Sequence, residues 1–368
     1  MRTRSTHVII DSQALRSNIR LIREHLPTTT AMMAMVKANA YGHGIIECSR
    51  IAVEEGIEYL GIAFASEGVQ LRNAGVDANL LLMTPPEPEE IHAIIQHDIE
   101  TIVCDEQAIQ SLNHQARQAG KIINVHLFID TGMHRDGIMP EETLTIARTI
   151  QALQHVHFKG LCTHFATADS DDMSFMEQQL SLFQQCLQTL TDANLNPEMV
   201  HIGNSAALIR IPEHIGTLAR PGLSIYGYSP VHEKMNALRP VLQLHSSIMS
   251  IRRIKKGESV SYGRSFIADA DMNIATIPIG YGDGLFRSLT GKLQCIINGK
   301  LYPLVGNICM DECMVTLGDD NISIGSKVTF IGKDNGVQQS AEDIAMLLQT
   351  IPYEITTAIS ARVPRIIE

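Results

Sequence analysis

Short runs of apolar residues alternate, up to about residue 225, with segments in which apolar positions recur every three or four residues. The first of these segments places Leu15, Ile19 and Ile22 on one face and ends before Pro27, which is typical of an amphipathic helix. Regular alternation of strand-like runs with helical segments indicates repeated βα units.

Eight apolar runs in this region predict β-strands. Amphipathic segments such as residues 105–120, which ends in a glycine, separate most of these runs and predict helices. Eight strands with helices between them predict a (β/α)8, TIM-like barrel. The predicted strands are 31–36, 58–63, 79–83, 100–103, 123–129, 157–163, 199–202 and 223–226.

After residue 235 the pattern changes to strand-like runs separated by Gly and Asn-Gly turns, which predicts a C-terminal, mainly β domain. The segment 229–240 carries two prolines and mixed charge, and we place the boundary there. The 368 residues exceed what one hydrophobic core usually supports. The predicted domains are therefore residues 1–235, the barrel, and residues 236–368, the β domain.

Composition and charge exclude several classes of protein. The net charge is -11, and the densest basic run, residues 252–256, is short and lacks aromatic residues, so a nucleic-acid partner is not expected. The seven cysteines are scattered without zinc-like spacing, which predicts a reduced protein without a metal. The first apolar run has four residues, too few for a signal peptide, and no later run approaches a membrane span. We expect a cytoplasmic protein with no membrane partner.

Candidate chemistry lies where the barrel strands end, because the functional groups of such barrels lie at the carboxyl ends of the strands. Four polar side chains follow strand ends in the predicted barrel and a fifth precedes its last strand, and all five are expected to ring one mouth. They are Lys37, Arg135, His164, Ser205 and Arg220.

Two of these features fit one cofactor. Lys37 follows an apolar strand, and desolvation there makes its amine a plausible nucleophile, although a surface lysine has the same pattern. "GNSAAL" opens a helix after the seventh strand, with Ser205 as a candidate cap, where barrels often bind phosphate; a simply capped helix is the alternative. An amine and a phosphate cradle together are what pyridoxal 5′-phosphate (PLP) requires.

A series of longer motifs makes the chain resemble the alanine racemases. The motifs are "VKANAYGHG", "DTGMHR", "THFATAD", "GNSAAL", "RPG", "VSYGRSF", "PIGYGDG", "GNICMDECM" and "IPYEITTAISARVPRI", in this order from residue 36 to residue 366. The resemblance implies a PLP-dependent homodimer that interconverts L-alanine and D-alanine and supplies D-alanine for peptidoglycan.

The resemblance also implies roles for single residues. Lys37 is the Schiff-base lysine and the base on one face of the substrate, and Tyr262 is the base on the other face, supplied by the partner subunit. His164 links Arg220, which faces the pyridine nitrogen, to Tyr262. The other implied cofactor contacts are Tyr41, Arg135, Asn204, Ser205, Gly222, Leu223 and Tyr353, with His201 behind them. The substrate contacts are Arg135, Cys309, Met310, Asp311 and Tyr262.

The match has three departures. Phe128 stands where the family usually has a lysine, often carbamylated, that pairs with the arginine at position 135. Asp136 replaces a common leucine, and Asn307 replaces a common arginine. A racemase of serine or of broader specificity is therefore the nearest alternative. A PLP decarboxylase of the same architecture ranks lower, because such chains are generally longer and do not need the second base that Tyr262 supplies. A non-catalytic PLP-binding barrel ranks lower because the chain contains the complete β domain with Tyr262 and Tyr353.

Overall fold

The computed structural model describes residues 4–231, 235 and 237–368. They form two compact units. The barrel unit comprises residues 14–40 and 45–239, and the β unit comprises residues 4–13, 41–44 and 240–368. The first strand, β1 (His7–Ile10), belongs to the β unit. Residue 236, at the expected boundary, lies outside the described residues, and the division into 1–235 and 236–368 stays a prediction.

The barrel unit contains eight parallel strands that form a nearly closed barrel, as the sequence predicts. The first seven strands pair in sequence order, and the eighth pairs with the first, Ala31 standing opposite Leu218, so the two ends of the sheet are the seventh and eighth strands. The strands are β2 (Ala31–Met35), β3 (Tyr59–Ile62), β4 (Asn79–Leu82), β5 (Ile99–Val103), β6 (Ile123–Phe128), β7 (Val156–Cys162), β8 (Met199–His201) and β9 (Leu218–Ala219).

The prediction for the eighth strand was wrong. Residues Leu223–Tyr226 form a 3-10 turn, and the strand lies just before them, at Leu218–Ala219. A two-residue strand is too short to give a hydrophobic pattern, whereas the four apolar and small residues of the turn are all buried and resemble a core strand. As a result, Arg220 follows the last strand and lies at its carboxyl end.

Helices alternate with the barrel strands and carry the expected end signals. The helix of residues Glu106–Ala119 begins at Asp105, whose side chain accepts a hydrogen bond from Ala108 N at 2.7 Å, and ends at Gly120 with φ of 65°. Within the described part of the chain, no helix has both the length and the hydrophobicity needed to cross a bilayer. The helices up to this point are α1 (Ser12–His25), α2 (Ile45–Glu54), α3 (Ala65–Asn73), α4 (Ile91–Gln96), α5 (Glu106–Ala119), α6 (Thr143–Ala152), α7 (Ser174–Asp192) and α8 (Ser205–Arg210).

The β unit confirms the predicted change of pattern. Its largest sheet joins β1 to strands from the C-terminal region, and Asn298 and Gly299, with φ of 50° and 78°, make the tight turn of one hairpin. Two short helices follow, α9 (Ala341–Leu348) and α10 (Pro352–Thr357). The strands are β10 (Leu242–Ser247), β11 (Ser250–Ile254), β12 (Ser259–Val260), β13 (Phe266–Ile267), β14 (Met272–Ile277), β15 (Gln294–Ile297), β16 (Lys300–Pro303), β17 (Cys313–Gly318), β18 (Lys327–Asp334), β19 (Val337–Gln339) and β20 (Arg365–Ile367).

Candidate active site

Lys37 lies at the start of an unusual backbone turn after β2. Ala38, Asn39, Ala40 and Tyr41 have φ of 52°, 55°, 54° and 53°, which places four consecutive non-glycine residues in the left-handed region. Each such residue costs about 1–2 kcal/mol, and strain of this kind concentrates at functional sites. Glu67 stabilises the turn by accepting from Ala38 N at 2.6 Å. The lysine is therefore placed by a backbone turn that the surrounding structure holds.

The Lys37 amine is half-buried and forms no hydrogen bond or ion pair with any residue that the structure describes. Burial lowers its pKa, and the positive charge of Arg135 lowers it further, with a smaller contribution from Arg220. A larger fraction of the amine is then neutral near pH 7 than for a surface lysine. A neutral amine is what both nucleophilic attack on a carbonyl and proton abstraction require.

Arg220 is buried at the carboxyl end of β9, and most of its donors are already used. Nη1 donates to the backbone oxygen of His201 and lies 3.0 Å from Nδ1 of the same residue. Nη2 donates to Thr163 O at 2.7 Å and lies 3.2 Å from His164 Nδ1. Among the described residues, the Nε–H of Arg220 has no acceptor. This group is therefore available to a ligand.

Burial and the charge of Arg220 lower the pKa of His164 to about 3, so its imidazole is neutral at ordinary pH. Because arginine can only donate, His164 accepts at Nδ1 and carries its proton on Nε2. The expected link between His164 and Arg220 is thus present in the barrel unit. His164 is available as a hydrogen-bond donor through Nε2–H.

A line of buried polar side chains extends behind Arg220 through the barrel interior, and the sequence analysis missed most of it. His201 Nε2 lies 2.9 Å from His126 Nδ1, and His126 Nε2 lies 3.0 Å from Glu100 Oε2. Lys159 Nζ donates to the other oxygen of Glu100 at 2.5 Å. The available signal was a charged or imidazole residue inside mainly apolar strands, namely Glu100 in β5 and His126 in β6. We call Lys159, Glu100, His126, His201 and Arg220 the relay.

The ionisation of the relay follows from burial and hydrogen bonding. Burial lowers the pKa of both His126 and His201, so both imidazoles are neutral. Burial alone would raise the pKa of Glu100, but hydrogen bonds from His126 and Lys159 outweigh it and hold the pKa below its ordinary value. Burial lowers the pKa of Arg220 to about 10, which leaves it cationic at neutral pH. The relay therefore joins a buried cation to a buried carboxylate through two neutral rings.

At the start of α8, where the sequence predicts phosphate binding, the structure differs from the prediction in one detail. Asn204 is the cap of α8, accepting from Ala206 N at 3.1 Å and Ala207 N at 3.0 Å, so the prediction of Ser205 as the cap was wrong. The buried Ser205 Oγ instead accepts from Gly222 N at 2.9 Å. Ser205 thereby ties the start of α8 to the turn that precedes the buried Leu223.

Arg135 has an acidic partner beside it in the chain. Its Nε donates to the Asp136 carboxylate at 3.0 Å. Phe128 is 4% exposed and packs in an apolar cluster with Ile102 and Cys162, so it offers Arg135 no acceptor. Asp136 is therefore the side chain that pairs with Arg135 in the structure.

In the β unit, Tyr262 stands in a tight turn and its side chain is 75% exposed. Ser261, before it, has φ of 69°, and Asn307 Nδ2 donates to the Tyr262 backbone oxygen at 2.6 Å. Ser261 Oγ in turn donates to Asn307 O at 2.6 Å. Asn307, one of the departures, thus holds the backbone that presents Tyr262.

The predicted substrate-contact loop is also in the β unit. Tyr281 N donates to Cys309 O at 3.0 Å, and Gly282 N donates to Met310 O at 2.9 Å. Arg362 bridges the Asp311 carboxylate, at 2.6 Å, to buried Asp283, at 3.3 Å. Cys309, Met310 and Asp311 therefore form one supported loop, although Met310 itself is largely exposed.

Tyr41 and Tyr353, two expected phosphate ligands, lie together in the β unit with ring centroids 5.4 Å apart. Burial, followed by the neighbouring Tyr353, raises the pKa of Tyr41. The Tyr41 hydroxyl is therefore neutral and can donate. In the described residues, no three His, Cys, Asp or Glu side chains are grouped as a metal site would need.

The matching family models and the similar proteins all belong to one family. Residues 10–230 match the alanine racemase N-terminal domain, and residues 241–367 match the alanine racemase C-terminal domain. The alanine racemase of Clostridium novyi (strain NT) is 40% identical over 363 residues, 97% of this chain and 94% of the relative. That of Treponema denticola is 38% identical over 375 residues, 99% and 98% of the two chains.

Solved structures agree with these relatives. The alanine racemase from E. faecalis has a TM-score of 0.94 and 34% identity, covering 99% of this chain and 98% of its own. The alanine racemase from Bacillus anthracis, solved with bound L-Ala-P, has a TM-score of 0.94 and 33% identity, covering 100% of this chain and 96% of its own.

Proposed function

Because the chain belongs to the alanine racemase family and is an isomerase of the racemase type, we propose that it interconverts L-alanine and D-alanine with PLP as cofactor. Lys37 and Tyr262 are the two bases, and the D-alanine serves peptidoglycan synthesis. The observation that carries the proposal is the Lys37 amine, which is half-buried, has no hydrogen-bond partner among the described residues, and has its pKa lowered by burial and by the charges of Arg135 and Arg220.

The donor set fits PLP. The Lys37 amine can hold the aldehyde carbon, and the Arg220 Nε–H, which has no acceptor among the described residues, can donate to the pyridine nitrogen. The Ser205 hydroxyl proton, with the Tyr41 and Tyr353 hydroxyls, supplies donors of the kind that a phosphate accepts, and Gly222 N holds the Ser205 oxygen in place. Arg135 adds a positive charge to balance the anion. Asn204 and Leu223 support these contacts by shaping α8 and the turn after Arg220.

The protein supplies the proton transfers. When bound, PLP withdraws electron density from the Cα of the amino acid and so weakens its Cα–H bond. Racemisation needs one base on each face of that carbon, and the neutral amine of Lys37 acts on one face. Tyr262 acts on the other, and the Nε2–H of His164 is the donor that stabilises its phenolate. A phenol with an ordinary pKa near ~10 needs such a donor to act as a base.

Tyr262 is proposed to act on the partner subunit of a homodimer. Its 75% exposure supports this proposal, because a base that served only its own chain would not need to extend into solvent. The contacts of substrate with Cys309, Met310, Asp311 and Arg135 belong to the same proposal. We place the dimer in the cytoplasm, without nucleic-acid or membrane partners.

Serine, or a broader set of amino acids, is the alternative substrate. It is favoured by Asn307, which is occupied with the Tyr262 backbone, and by Asp136, which pairs with Arg135. Compared with the residues common in the family, Asn307 changes the charge near the predicted substrate-contact loop, and Asp136 changes the charge near Arg135.

The test is racemisation in D2O. The protein with added PLP is incubated with L-alanine, and in parallel with L-serine, while chirality and Cα deuterium are followed together. We expect D-alanine carrying solvent deuterium, and a kcat/KM for alanine above that for serine. Equal values, or a preference for serine, would contradict the alanine assignment. Absence of exchange from either substrate would contradict the racemase proposal as a whole.

The two-base route is tested in the same assay with Tyr262→Phe. Exchange should be lost mainly from one enantiomer, while the absorbance of bound PLP remains. Tyr302→Phe is the matched control, since it removes a tyrosine hydroxyl that bonds Asp320 elsewhere in the β unit. Unchanged rates from both enantiomers in Tyr262→Phe would rule out its role.

A further inference from the structure

The relay has a fixed hydrogen-bond direction. Arg220 has only donors, so His201 accepts at Nδ1. A neutral His201 then carries its proton on Nε2 and donates it to His126 Nδ1. A neutral His126 likewise carries its proton on Nε2 and donates it to Glu100. Every proton of the relay between Arg220 and Glu100 therefore points away from Arg220.

At the end of the relay away from Arg220, Glu100 must accept hydrogen bonds at both of its oxygens. Lys159 Nζ donates to Glu100 Oε1, and Asn124 Nδ2 donates to the same oxygen at 3.1 Å. His126 donates to the other oxygen. A carboxylate accepts in both directions, whereas a glutamine amide has one accepting oxygen and one donating nitrogen. Glu100 is thus the only member of the relay that receives protons from both directions.

The barrel also makes space for the relay. Gly160 on β7 stands opposite His126 on β6. A Cβ at Gly160 would lie 2.0 Å from His126 Nδ1, so any side chain there would displace the ring. His126, His201 and Glu100 are 0%, 0% and 7% exposed. An uncompensated polar group at such depth is costly, which favours complete satisfaction of the relay.

We propose that Glu100 is a positioning residue for Arg220. By accepting from both Lys159 and His126, it fixes the tautomers of His126 and His201 so that His201 presents a lone pair, not an N–H, to the guanidinium of Arg220. The consequence for catalysis rests on the proposed function, because Arg220 is the residue assigned to the pyridine nitrogen. The tautomers themselves do not depend on that assignment.

Glu100→Gln tests the proposal. Lys159 can only donate, so it claims the amide oxygen and turns the amide nitrogen towards His126. That nitrogen donates, and both histidines must then reverse their tautomers, which places the Nδ1–H of His201 against the Nη1–H of Arg220. We expect neutron diffraction of crystals of the PLP-loaded enzyme to show Nε2–H on both rings in the parent protein and Nδ1–H on both in the variant. We expect kcat for alanine to fall by about 10- to 100-fold, by analogy with the loss of the hydrogen-bond partner of a metal-ligating histidine.

The double variant Glu100→Gln with Lys159→Met separates hydrogen-bond direction from charge. Without Lys159, the amide oxygen is free to accept from His126, since Asn124 can turn its own amide. We again expect the proton on Nε2 of both histidine rings. We expect kcat to stay within about threefold of that of the parent enzyme, which is a smaller loss than that of the single variant. Failure of the double variant to restore the tautomers would overturn the proposal.

Glu198→Gln is the matched control. Glu198 also accepts from a histidine, His157, at 2.8 Å, but this pair lies at the surface. Its kcat should equal that of the parent protein. Parent crystals with Nδ1–H on either ring would overturn the proposal without any variant, even if a variant failed to fold. If the parent protein had the proposed tautomers but did not racemise alanine, the result would count against the proposed function and not against the role of Glu100.

Discussion

At the scale of single residues, the buried His126 and His201 and the partly buried His164 are the imidazoles whose charge the barrel interior controls. Burial lowers the pKa of His126 and His201, and burial with the charge of Arg220 lowers that of His164 to about 3. Their neutrality follows from the environment, since the ordinary histidine pKa of about 6.5 would leave them partly charged in weak acid. The sequence shows the residue types, but the depth of burial becomes visible only in the folded chain.

Because these histidines are neutral in the native state, we expect the free energy of unfolding to begin to fall at pH values well above those at which carboxylates titrate. In the unfolded chain these imidazoles take up protons as the pH falls below about 6.5, whereas in the native state they stay neutral. The unfolded state then binds more protons, so the free energy of unfolding should fall with decreasing pH. Each histidine can contribute up to about 1.4 kcal/mol per pH unit. Urea unfolding between pH 8 and pH 5, at one protein concentration, measures the slope.

Replacing one histidine isolates the effect. His164→Gln should give a shallower slope than the parent protein, and His114→Gln, at an exposed position of α5, should give the same slope. A free energy of unfolding that stays constant from pH 7 to pH 5 would contradict this account.

At the scale of elements, long periodic segments could be predicted, and very short ones could not. The helix from Ser12 to His25 and seven of the eight barrel strands follow from apolar spacing and end signals. Leu218–Ala219 has only two residues, and it is a strand because it pairs with β2. The left-handed turn after Lys37 was equally invisible, since alanine favours the right-handed region and only contacts such as that of Glu67 stabilise the turn.

The capping of α5 gives a prediction at this scale. Asp105→Ala removes the acceptor of Ala108 N and should lower the free energy of unfolding by about 1 kcal/mol. Glu106→Ala removes the same charge from the next residue without removing a cap, and should cost clearly less. Urea unfolding of both variants makes the comparison. Equal losses would show that charge near the helix end matters more than the cap, and kcat should be unaffected in either case.

At the scale of the whole molecule, the sequence resemblance predicted the family and the fold, and the comparisons confirmed both. The candidate residues from single motifs stay predictions. What the sequence could not show is long-range pairing of polar groups, such as Glu100 with His126 and Asn307 with the Tyr262 backbone. These contacts join residues far apart in the chain, and no local pattern encodes them.

The proposed sharing of sites between subunits can be tested by mixing two inactive variants. A dimer of one Lys37→Ala chain and one Tyr262→Phe chain has one site with both bases intact if Tyr262 acts on its partner. Random exchange of subunits should then restore about a quarter of the parent activity, since about half the dimers are mixed and each has one intact site. If each chain used its own tyrosine, mixing would restore nothing. Activity after unfolding and refolding the variants together, against each refolded alone, decides between the two.

The one-way direction of the relay has a consequence for how such a chain can change over time. Each member is acceptable only while its neighbours keep their present donor or acceptor side, so the effect of one substitution depends on the state of the others. Reversal at His126 would set its Nδ1–H against the Nε2–H of His201, and reversal of His201 as well would set an N–H against Arg220. We therefore expect these positions to vary as a group among related chains, and a laboratory search that changes one residue at a time to find few acceptable replacements at any of them.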